Sequence, residues 1–108
     1  MTDFHEKRAA ERFAVSPHVD CAFASPVLED FGKIKIKNIS STGVGLIVTE
    51  PVATGMLLVI KLVNSDKKFT KTMLVRVVHA TPQASGTYLV GGTLDTPLTY
   101  EELCALVM

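Results

Sequence analysis

The sequence predicts a mainly all-β protein: a six-stranded antiparallel β-barrel over residues 17–108, with a flexible N-terminal arm over residues 1–16 and a short C-terminal helix. Three observations predict it. Apolar runs rich in Val, Ile, Leu and Thr recur at short intervals, each bounded by Pro, Gly, Asn or Asp, and no helical period separates them. A chain of 108 residues has room for one compact core and not two. The last ten residues then break the pattern with a helix-start signal.

Residues 1–16 carry Asp3, Glu6, Lys7, Arg8, Glu11 and Arg12, with Phe4 and Phe13 as their only large apolar side chains besides Met1. A segment of this composition buries too little to order itself and reads as an arm. Strands are expected at residues 19–24, 32–40, 44–49, 56–62, 69–79 and 87–94. Turn signals stand between them at Ser25-Pro26, Ser41-Thr42-Gly43, residues 51–55, Asn64-Ser65-Asp66 and residues 81–86. Short strands at this spacing favour a closed or nearly closed antiparallel barrel over a parallel sheet. Thr99 followed by Glu102 forms a capping box, and Tyr100, Leu103, Ala105 and Leu106 supply the apolar face that packs the helix on the barrel.

Composition narrows the function. Eleven Lys and Arg balance eleven Asp and Glu, so no bulk positive field is available to a general nucleic-acid or acidic-membrane binder. Lys33, Lys35 and Lys37, with Lys67, Lys68 and Lys71, lack the interleaved aromatics of a single-strand binding surface and read as solvated edges. No nucleic-acid partner is expected. Cys21 and Cys104 follow no secretory leader, which points to a reducing, cytoplasmic setting. The most apolar stretch, residues 55–63, contains Lys61 and is about half the length a bilayer requires, so no membrane insertion is expected. His5, His18 and His79 are scattered and neither cysteine has a neighbour at metal-ligand spacing. The chain is therefore expected to be neither an enzyme nor a metalloprotein and to need no cofactor, and its starting Met1 only suggests a stand-alone domain.

Two motifs remain. Arg8 and Arg12 form an R-x-x-x-R whose guanidinium groups share one helical face or converge from a loop, a spacing met by chance in roughly one such chain in four. Asn38-Ile39-Ser40-Ser41-Thr42-Gly43 is rarer, arising by chance in about one chain in twenty-five. As plain structure it is a hairpin turn, with Gly43 supplying a positive φ and Ser40 or Asn38 bonding local backbone.

An R-x-x-x-R arm followed about thirty residues later by (Asp/Asn)-x-Ser-x-x-Gly inside a small β-domain resembles the PilZ family of bacterial cyclic di-GMP receptors. The resemblance runs from about Lys7 to Leu103, with Val75-Arg76-Val77-Val78 similar to the family's long late strand and Val90-Gly91-Gly92-Thr93-Leu94 to its final one. Leu94 stands where an aromatic is frequent. The resemblance implies that Arg8 and Arg12 bind cyclic di-GMP from the arm, that Asn38 and Ser40 contact guanine or phosphate, and that Gly43 permits the turn presenting them. It further implies a receptor that changes conformation with the second messenger and regulates a downstream protein partner in motility, biofilm or exopolysaccharide control. The competing expectation is a nucleotide-independent interaction module serving pilus, flagellar or polysaccharide machinery.

The ligand chemistry agrees with the residue types. Two phosphodiester anions and two guanines call for planar cationic donors, and an arginine can fork onto guanine O6 and N7, grip a phosphate, or stack on a base. An asparagine accepts from guanine N1–H and N2–H2 less strongly than a carboxylate would. Lys7 is a candidate for added phosphate charge, and His79 for an imidazole face against a guanine. Strict alternation along residues 33–40 would put Ile36 and Asn38 on one face, so a β-bulge near Lys37 or Asn38 is expected, burying Ile36 and Ile39 while exposing Asn38.

Overall fold

The computed structural model describes residues 11–24 and 33–108. Among them run β1 (Phe13–Ala14), β2 (Val19–Phe23), β3 (Ile34–Ile39), β4 (Gly43–Val48), β5 (Leu57–Asn64), β6 (Phe69–Pro82), β7 (Tyr88–Leu94) and helix α1 (Tyr100–Val107). All pair antiparallel in one curled half-barrel sheet of order β1-β3-β4-β7-β6-β5-β2. β2, at one end of the curl, lies close to β3, second from the other end, but no ladder joins them.

The six expected strands are present, and a seventh lies inside the segment read as arm. Phe13 pairs with Ile39 and Ala14 with Asn38, because β3 would otherwise leave this edge unpaired. Several ends also differ. β5 continues through the expected turn to Asn64, and a 3₁₀ turn over Ser65–Lys67 follows, capped by Asn64 and closed by Lys68 in the left-handed region. β6 runs on to Pro82, which pairs with Tyr88.

Period-two alternation builds the core. Val44, Leu46 and Val48 of β4, Leu58, Ile60 and Leu62 of β5, Val75 and Val77 of β6, and Val90 and Leu94 of β7 point inward and are buried. The helix closes one end with Leu106, which is fully buried. Its capping box is complete: Glu102 N–H donates to Thr99 Oγ1 at 3.1 Å and Thr99 N–H to Glu102 Oε1 at 2.9 Å. Three further bonds fasten this end of the chain to the barrel. Ser16 N–H donates to the Leu106 carbonyl at 2.9 Å, Asn64 Nδ2 to the Ala105 carbonyl at 2.8 Å, and Leu98 N–H to the Ser41 carbonyl at 2.8 Å. No helix among the described residues is long and apolar enough to cross a membrane.

Candidate functional site

The register of β3 against β4 shifts between Ile36 and Asn38, leaving Lys37 without a partner. This is the expected bulge. It lets Ile39 sink fully into the core and Ile36 pack half-buried against it, while Asn38 turns to the outer face beside Gly45. A regular strand would have had to choose between them.

The turn that follows is held by Ser40. Its hydroxyl accepts from Gly43 N–H at 2.9 Å and from Thr42 N–H at 3.3 Å, and the Ser40 amide donates to the Gly43 carbonyl at 2.9 Å. Ser40 is only 2% exposed, so its side chain faces the turn and not the outer surface. Gly43 does not supply the positive φ expected of it; among the described residues only Lys68, Gly55 and Gly86 have one. Its missing side chain serves close approach instead. A Cβ there would stand 3.0 Å from the Gly92 carbonyl oxygen and 3.1 Å from Arg12 Nη2.

Arg12 thus lies against Gly43, and its Nη1 donates to Asn38 Oδ1 at 2.8 Å. The two motifs, 26 residues apart, meet on one surface. The short β1–β3 pairing is what delivers the guanidinium, since Phe13 next to it is locked opposite Ile39. Arg8 and Lys7 lie outside the described residues.

The floor of this surface is glycine. Gly45 on β4 pairs with Gly91 on β7, which pairs in turn with His79 on β6. A Cβ on Gly45 would come within 2.6 Å of Asn38 Oδ1, and one on Gly91 would collide with the His79 ring. Asn38, Gly45, Gly91 and His79 therefore form one row across four strands, with bare backbone between an amide and an imidazole. The next row holds Gly43, Thr93 and Arg76. Of the sequence-derived candidates, Arg12, Asn38, Gly43 and His79 come together on this face, and Ser40 stands beneath it. Gly45, Gly91 and Arg76 were missed. Glycines at alternate positions of an otherwise β-branched strand were the available signal, because a strand glycine marks close approach of another group.

Another cavity among the described residues lies elsewhere. It measures about 770 Å³ and opens between β2 and β3, where Cys21, Asp20, Lys33 and Lys35 line it with Val19, Ile34 and Ile36. Burial pushes the Cys21 thiol up to about 12, so it stays protonated and is a poor nucleophile. Among the described residues no group of three or more His, Cys, Asp or Glu side chains is placed to hold a metal ion.

A guanidinium and an amide thus stand over a glycine floor on one face of a small antiparallel half-barrel. The chain matches the PilZ domain over residues 6–102, and it belongs to that family. PilZ domains are non-catalytic receptors and adaptors that typically bind cyclic di-GMP; the protein is accordingly not an enzyme. No curated protein matches the chain.

Proposed function

We propose that this protein is a cyclic di-GMP receptor acting in the cytoplasm, and that ligand binding changes its conformation and so regulates a protein partner in motility, biofilm or exopolysaccharide control. The observation that carries this reading is the Arg12–Asn38 bond at 2.8 Å beside Gly43, which joins the two motifs on one surface. Arg12 and Arg8 supply the guanidinium forks, Asn38 accepts from a guanine edge, and His79 offers a ring face over Gly91. Lys7 adds charge toward a phosphate. Ser40 and Gly43 act by shaping the turn and by leaving room for Arg12.

The conformational step follows from the arm. Ligand contacts made by Arg12 bear on β1 next to it, and the Ser16–Leu106 bond ties the continuation of that segment to the C-terminal helix. Replacing either arginine by Ala should weaken cyclic di-GMP binding by about 1.5–3 kcal/mol, the scale of a hydrogen bond to a charged group. That is at least about tenfold in Kd. Calorimetric titration of the single and double variants checks it, with thermal melting unchanged because Arg12 is exposed. Unaltered affinity in the double variant would overturn the assignment, and indifference of the native protein to cyclic di-GMP would favour the nucleotide-independent adaptor.

A further inference from the structure

The outer face carries a second recess that none of the motif residues lines. It has a volume of about 200 Å³ and is walled by Leu57, Leu74, Arg76, Thr93, Leu94 and Asp95. Arg76 and Asp95 both reach it, yet they form no salt bridge, and neither side chain has a hydrogen-bond or ion-pair partner among the described residues. A fork of donors and a carboxylate thus line one small, predominantly polar recess without bonding each other. Leu57, 47% exposed, is one of the few large apolar side chains left facing solvent.

The chemistry of this pair selects its occupant. A phosphate would gain from Arg76 but be repelled by Asp95. A guanine satisfies both, because its O6 and N7 accept from a guanidinium while its N1–H and N2–H2 donate to a carboxylate. Adenine fits less well: it offers the fork one acceptor, N7, with an amino donor where O6 would be, and it has no N1–H for the carboxylate. Leucine side chains suit the faces of a base. The position is also right. Arg76 pairs with Thr93 and Thr93 with Gly43, against which Arg12 rests. Two strand spacings, about 10 Å, separate the backbones of Gly43 and Arg76.

We propose that this recess is a guanine subsite, in which Arg76 and Asp95 hold the second base of the dinucleotide while Arg12 and Asn38 engage the first. The proposal rests on the cyclic di-GMP reading above and adds to it the residues that set base specificity. Thr93, between the two, lies beneath the sugar-phosphate ring.

Titration calorimetry with cyclic di-GMP and cyclic di-AMP, on the native protein and on Arg76→Ala, Arg76→Lys, Asp95→Asn and Arg12→Ala, tests it. Arg76→Ala should weaken cyclic di-GMP binding about tenfold, the scale of one lost charge-assisted contact. Arg76→Lys should not restore it, because an ammonium lacks the fork. Asp95→Asn should narrow the preference for the guanine over the adenine dinucleotide by a similar factor. Melting curves should match the native protein, since both side chains are exposed. Native affinity and selectivity in Arg76→Ala and Asp95→Asn, with binding lost in Arg12→Ala, would overturn the subsite and leave the receptor reading intact. Full restoration by Arg76→Lys would also overturn it, reducing Arg76 to a distant charge. Failure of the native protein to bind cyclic di-GMP would remove both.

Discussion

Gly45 and Ser40 stand five residues apart in one hairpin and respond to substitution in opposite ways. A methyl group at Gly45 would meet the far end of the Asn38 side chain at 2.6 Å, and that side chain can swing away. The fold survives such a shift, but Asn38 leaves Arg12. Gly45→Ala is therefore expected to keep its melting temperature and lose several-fold in cyclic di-GMP affinity. Ser40 is buried, and its hydroxyl serves two backbone amides of the turn. Ser40→Ala should lower stability by about 1–3 kcal/mol, the cost of stranding buried donors, and weaken binding only through the loosened turn. Urea unfolding beside titration calorimetry separates the two effects; equal loss of stability in both variants would contradict this division. At this scale the sequence was legible where a residue's type names its structural job, as with Thr99 and Glu102 of the capping box. It misled at Gly43, whose lack of a side chain matters for the approach of Arg12 and Gly92 and not for a left-handed φ.

Helix α1 is the element most open to titration. Glu102 lies below the ordinary glutamate range, first because Lys71 Nζ donates to its Oε2 at 2.8 Å, and second because the Thr99 amide donates to Oε1. The unfolded chain, with the higher pKa, takes up this proton before the folded one. Stability from the pair is thus fully present above the ordinary value and disappears as pH falls through the lowered one. Melting temperatures recorded from neutral to acid pH should fall less steeply for Lys71→Met than for the native protein. Thr99→Ala should cost about 0.5–2 kcal/mol at neutral pH, as loss of an N-cap does. The six longer strands and the capping box were readable because each rests on a local pattern of residues, and the two-residue β1 was not. The ends of β5 and β6 were not, since ladder pairs carried them past their turn signals, Asn64 with Val19 of the distant β2 and Pro82 with Tyr88 across the β6–β7 hairpin.

Across the whole molecule, the site turn and the arm both lead to the C-terminal helix. Leu98 N–H bonds the Ser41 carbonyl ahead of the helix, and Ser16 N–H bonds the Leu106 carbonyl near its end. If ligand held at Arg12 acts through Ser16, hydrogen exchange should slow at Ser16 and through residues 100–107 on adding cyclic di-GMP, while the buried amides of β5 hardly change. Protection confined to residues 38–45 would mean that the helix takes no part in the response.

The residues themselves determined the all-β class, the order of the strands along the chain, the helix start and the pair of motifs, because alternation, turn chemistry and capping act over a few neighbouring positions. The bulge at Lys37 was legible for the same reason: Ile36, Asn38 and Ile39 cannot all be satisfied by an unbroken alternation. Tertiary pairing alone decided that Phe13–Ala14 becomes a strand, that Gly45 faces Gly91, and that Arg76 comes within two strands of Gly43. Those facts depend on which strands lie side by side in the curled sheet. Contacts between residues 26 or 46 positions apart are set by ladder register and leave no trace in local periodicity.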